Sequence, residues 1–120
     1  MLAVPLSRRT KNHLGSMYFG ALCTGADAAA AVLGFRLLRD RKSRISVVFQ
    51  DVRGEFLRRP EAEVHFTCSQ GRELSELLDR AEASGQRENL PIEVVATVPS
   101  ISGEEPVARF LLTLSVKRKG

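Results

Sequence analysis

Asp27 is the residue in this chain best placed to do chemistry. It stands among alanines, in a run from Leu14 to Phe35 that holds no other Asp, Glu, Lys, Arg or His. No basic residue lies three or four positions away to pair with it. A carboxylate in such surroundings finds hydrogen-bond partners, shifts its pKa upward, or faces a water-filled cleft. In a cleft it suits general-base or nucleophilic work. The plainer alternative is an exposed strip of helix, or a bond to a loop backbone.

The other reactive residue types are scattered. His13 stands just before the run and brings a near-neutral imidazole, but equally fits a surface turn. Ser16 reads as a helix cap rather than a nucleophile, because no His or Asp forms a recognisable relay with it. Cys23 and Cys68 make no C-x-x-C pair and no cluster with His13 and His65. A disulfide scaffold and a zinc site of clustered ligands are therefore not expected, no metal is assigned, and a reducing, cytoplasmic setting follows. Both cysteines fall on apolar stripes as small hydrophobes. His65 has outward strand parity, a surface or dimer-contact position. Gly15 and Gly20 carry no phosphate-loop pattern.

These residues need elements to position them. Ala3 to Arg8 reads as an edge strand limited by Pro5. A long helix is expected from Tyr18 to Leu38, apolar nearly all round and buried, with Leu22, Ala26, Ala29, Ala30 and Leu33 on one stripe. A membrane span or export signal is not expected, given Asp27, the glycines within the run, and Thr10-Lys11-Asn12-His13 after the arginines. From Ile45 the period becomes two, and the parity slips between Phe49 and Val52, which predicts a bulge near Gln50-Asp51. Val64, Phe66 and Cys68 read as the return strand of a hairpin. Leu74, Leu77, Leu78 and Ala81 predict a short helix closed by Gly85. Ile92 to Val98 and Ala108 to Val116 are two further strands, the last followed by a basic tail, Lys117-Arg118-Lys119. One helix is apolar enough to cover the sheet these strands imply. The class is α+β, a mainly antiparallel sheet wrapped around a long central helix, in one domain over residues 1–120.

The chain has 120 residues, 43% of them hydrophobic, and a formal charge of +4. That excess permits a phosphate-bearing partner but is mild for a nucleic-acid binder. The six phenylalanines fall on buried-pattern or motif positions, which leaves no stacking platform for bases.

The segment from Asn12 to Leu22, continuing to Asp27, resembles the signature of hot-dog fold acyl-CoA thioesterases of the phenylacetate-pathway type. Their pattern is N-x-x-G-x-x-H-G-G with an acidic residue seven positions later on the central helix. Arg8 to Ala21 is similar to a thioesterase-like bacterial branch of that superfamily, and Glu55-Phe56-Leu57-Arg58-Arg59-Pro60 to its strand motif. The resemblance implies a hot-dog fold with one extra short helix, the one after Ser69. It implies that Asp27 acts as base or nucleophile toward a thioester carbonyl and that the Phe19 N–H helps hold the oxyanion. Asn12 and Gly15 fall on the family's turn before the helix. Tyr18 stands at the family's His, Phe19 at its first glycine and Gly20 at its second. Residues 36 to 59 hold eight basic side chains against three acids, and a basic strip there suits the phosphates of coenzyme A. His13, Gly20, Arg58 and Arg59 are accordingly the substrate-binding candidates. The implied activity is hydrolysis of an acyl-CoA or acyl-carrier thioester by a homodimer or tetramer, with no cofactor beyond the substrate's own coenzyme A. The alternatives are an acyl or CoA-binding protein of the same fold without turnover and, third, a basic nucleic-acid interaction protein.

Overall fold

The computed structural model describes residues 1–17, 19–39 and 45–119, with Phe19 described by its backbone. In chain order the elements are β1 (Leu2–Val4), α1 (Phe19–Arg39), β2 (Ile45–Phe56), β3 (Val64–Thr67), α2 (Gly71–Ser84), β4 (Glu88–Thr97), α3 (Pro99–Ser102) and β5 (Pro106–Arg118). The strands form one antiparallel sheet in the order β1-β3-β4-β5-β2. The molecule is α+β, a five-stranded open sheet with a long and a short helix on it.

α1 packs against β1, β3, β4 and β5. By length and composition it could cross a membrane, but here the sheet takes its apolar stripe: Ala21, Leu22, Ala26, Ala29 and Ala30 are buried. The small residues let the helix sit low. A Cβ added at Gly25 would lie 2.3 Å from the buried Phe66 ring, so this contact requires glycine. α1 is not buried all round, contrary to expectation. Thr24, Asp27, Val32, Phe35 and Arg36 are exposed, because the sheet covers one side and β2 stands away from the helix.

The bulge falls where the alternation slips. β2 pairs with β5 from Ile45↔Arg118 to Phe56↔Ala108, and the register shifts between Phe49 and Asp51. The expected hairpin between β2 and the next strand does not form. β3 pairs with β1 and β4, while β2 pairs with β5, its near match in length. Period-two alternation sets which face a strand buries but not its partner. The connection from β2 to β3 instead crosses the start of α1, where the Met17 N–H donates to the Pro60 carbonyl (2.9 Å).

Leu74, Leu77, Leu78 and Ala81 are the buried face of α2, which Gly85 closes in the left-handed region at φ 68°. The Gln70 side chain ties the start of α2 to β4, donating to the Pro91 carbonyl (3.3 Å) and accepting from the Glu93 N–H (2.5 Å). Lys117 and Arg118 belong to β5 rather than to a loose tail, and Arg118 donates to the Glu82 carbonyl near the end of α2. The part of the basic strip at residues 40–44 lies outside the described residues.

Candidate functional site

A furrow runs between the open side of α1 and the face of β2, and three cavities follow one another along it. The first, about 380 Å³, lies at the start of α1 and brings together Asn12, Ser16, Leu22, Phe56, Arg58 and Arg59. The second, about 410 Å³, is lined by Cys23, Thr24 and Asp27 from α1 and by Phe49 to Val52 from β2. The third, about 330 Å³, reaches from Ala30 to Leu38 and shares Phe49 with the second.

Asp27 is exposed in the single chain and faces the second cavity. The plainer reading of its position is therefore right as to burial, while the cleft reading is right as to what it faces. Asp51 lines the same cavity from the bulge of β2. A bulge re-aims side chains, and the parity slip at Gln50-Asp51 was the sequence signal for this second carboxylate. Thr24 is not a free donor, since its hydroxyl donates to the Gly20 carbonyl (2.8 Å). Burial pushes the Cys23 thiol up from its ordinary value, so it stays protonated near neutral pH and is a poor nucleophile.

Asn12 and Gly15 shape the approach to α1. The Asn12 Oδ1 accepts from the N–H groups of Leu14 (2.9 Å) and Ser16 (3.1 Å). Its backbone N–H donates to the Ser16 carbonyl (2.7 Å), and its own carbonyl accepts from the Gly15 N–H. Gly15 has φ 78°, a left-handed turn position that favours glycine. Both residues thus hold the loop that delivers the chain to Phe19, where α1 begins. The first N–H groups of a helix have no carbonyl within it to bond and carry the positive end of its dipole.

Ser16 does not cap α1 as expected. Its hydroxyl is buried without a hydrogen-bond partner among the described residues, because the Asn12 side chain organises this turn instead, and it lines the first cavity. Arg58 pairs with Glu105, and both arginines are exposed at the cavity rim. His13 is exposed and lines none of the three cavities. Gly20 contributes through its carbonyl bond to Thr24. Tyr18 lies outside the described residues. Cys68 is half-buried, and His65 bonds Glu63 (2.9 Å) away from the furrow. Among the described residues no group of three His, Cys, Asp or Glu side chains could hold a metal ion.

No family model matches the sequence, and a search of curated proteins finds no relative. Solved structures do match. A protein of unknown function from Chlorobaculum tepidum superposes with a TM-score of 0.81 at 15% identity, covering 98% of this chain and 75% of the other. A probable thioesterase from Pseudomonas aeruginosa gives a TM-score of 0.75 at 21% identity over 98% and 74%. The chain has the hot-dog fold. A third hot-dog neighbour, a Bacillus halodurans protein solved with CoA, gives 0.64 at 16% identity over 95% of this chain and 64% of that one. Within this hot-dog fold α1 is the central helix, the furrow is the side of it left uncovered, and α2 packs against β4, β5 and α1.

Proposed function

We propose that this protein hydrolyses an acyl thioester of coenzyme A, or of an acyl carrier, in the cytoplasm and as a pair of chains. The observation that carries the reading is the Asp27 carboxylate facing a cavity between the central helix and the bulged strand of a hot-dog fold. The thioesterase and CoA-bound neighbours support the substrate class.

Asp27 takes a proton from water as the water oxygen attacks the thioester carbonyl carbon. Negative charge gathers on the carbonyl oxygen and is held by the Phe19 N–H at a helix start. The intermediate collapses, the carbon–sulfur bond breaks, and the proton on Asp27 passes to the leaving thiolate. One water is consumed, and a carboxylic acid and a thiol are released. Arg58 and Arg59 at the furrow mouth suit the phosphates of coenzyme A.

Geometry argues for two copies. Phe19 and Asp27 are eight residues apart on one helix, about 12 Å along its axis, too far to act on one carbonyl group. β2 is an edge strand of 12 residues with one side unpaired by the sheet. Two β2 edges joined antiparallel set two α1 helices head to tail, and Asp27 of one copy then meets the Phe19 N–H of the other.

Thiol release from a panel of acyl-CoA substrates tests the reading. Asp27→Asn is expected to lower kcat by roughly 10²–10⁴-fold. Unchanged turnover in that variant contradicts the assignment, and saturable binding with no turnover in the unaltered protein replaces the enzyme with a ligand-binding module.

A further inference from the structure

The third cavity has different chemistry from the other two. It is walled by Ala30, Ala31, Gly34 and Leu38 on the helix and by Ile45 and Val47 on β2, and among the described residues only Ser46 and Lys119 bring polar side chains to it. Its volume of about 330 Å³ falls at the low end of small-ligand pockets, about 300–1,000 Å³.

Gly34 shows that this space is open rather than packed. Its residue is buried, yet among the described residues a Cβ built on it meets no atom within 4 Å. Gly25, nine residues earlier on the same helix, is also buried, but there a Cβ runs into Phe66. Protein interiors are close-packed. A buried glycine facing empty space, with aliphatic walls around it, therefore marks a compartment shaped for an apolar guest.

The compartment lies next to the Asp27 cavity, with Phe49 in the wall of both, and follows α1 toward its C-terminal end. We infer that it holds the acyl group of the substrate, a straight aliphatic chain of medium length, and that Gly34 sets how long that chain can be. The inference rests on the thioester reading. A carbonyl at Asp27 with its chain lying toward Gly34 covers about 10 Å at the helical rise, about eight extended carbons. The small residues of successive turns (Ala30, Ala31, Gly34) leave room along the helix rather than across it, which favours a linear chain over an aryl group.

Non-hydrolysable S-alkyl-CoA thioethers of increasing chain length test this by calorimetry on the full chain. Affinity is expected to rise about fourfold per methylene, the value of moving a methylene out of water, and to level off near about eight carbons. Gly34→Leu fills the compartment, so the plateau should come several carbons earlier while circular dichroism stays native. Ala31→Leu, on the same wall, should shorten the plateau likewise and serves if Gly34→Leu does not fold. Affinity independent of chain length, or a folded Gly34→Leu protein that keeps the full length dependence, overturns the inference. So does Gly34→Leu breaking a dimer, since the second copy would then be the occupant. These outcomes leave hydrolysis at Asp27 standing. Length-dependent binding without turnover does the reverse, removing the hydrolase and keeping the acyl compartment.

Discussion

Gly25 and Gly34 sit on one helix and do opposite things. At Gly25 the missing side chain lets α1 rest on Phe66, whose ring would be 2.3 Å from an added Cβ. Phe66 is fully buried and has nowhere to swing. Gly25→Ala is therefore expected to destabilise the fold by about 1–3 kcal/mol, outweighing alanine's better helix propensity; denaturant unfolding checks this, and an unchanged midpoint contradicts the packing described. The sequence shows that this helix is rich in small residues, but not which glycine is pressed against a neighbour and which faces open space. That distinction depends on the residue across the gap. Asp27 was legible because a lone carboxylate in an apolar run stands out, although its exposure was not, since a helix pattern does not say how wide the covering sheet is. Asp51 does not stand out as chemistry in the sequence, because only the fold carries β2 across from α1. Ser16 reads as a cap but is not one, because the Asn12 side chain takes over the turn that a capping serine would organise.

At the scale of elements, β2 decides most. Its slipped alternation was readable as a bulge, and the bulge lies at the second cavity. Its pairing was not readable, because the apolar faces of all the strands obey the same period and only length and the crossing over α1 select β5. The boundaries of α2 followed from its apolar spacing and from Gly85. α3 (Pro99–Ser102) lay beyond any such signal, being a single turn between β4 and β5. β2 also leaves Val48, Val52 and Phe56 exposed on an edge strand. Native proteins protect such an edge with charge, bulges or a partner. Val48→Lys places a charge where a second β2 would lie and is expected to turn a dimer into monomers in sedimentation velocity, with thioester turnover falling in step with the dimer fraction. A dimer that persists with full activity would move the interface off β2.

At the scale of the molecule, the sheet covers one side of its central helix and leaves the other as a furrow, with arginines at one end, carboxylates in the middle and an aliphatic compartment beyond. That order matches an acyl thioester laid along it. On one chain the proposed base, Asp27, and the proposed oxyanion donor, the Phe19 N–H, are too far apart to share a carbonyl, so hydrolysis as proposed requires two chains completing each other's sites. Two inactive variants decide it. Asp27→Asn removes the base. Phe19→Pro removes one N–H at the first helical position, where proline is well tolerated. Mixed and allowed to exchange subunits, they form pairs in which one site has the aspartate of one chain and the N–H of the other. Turnover is predicted to return to about a quarter of the unaltered protein's, given random two-fold pairing. No recovery, with exchange shown by mass spectrometry, would contradict the account.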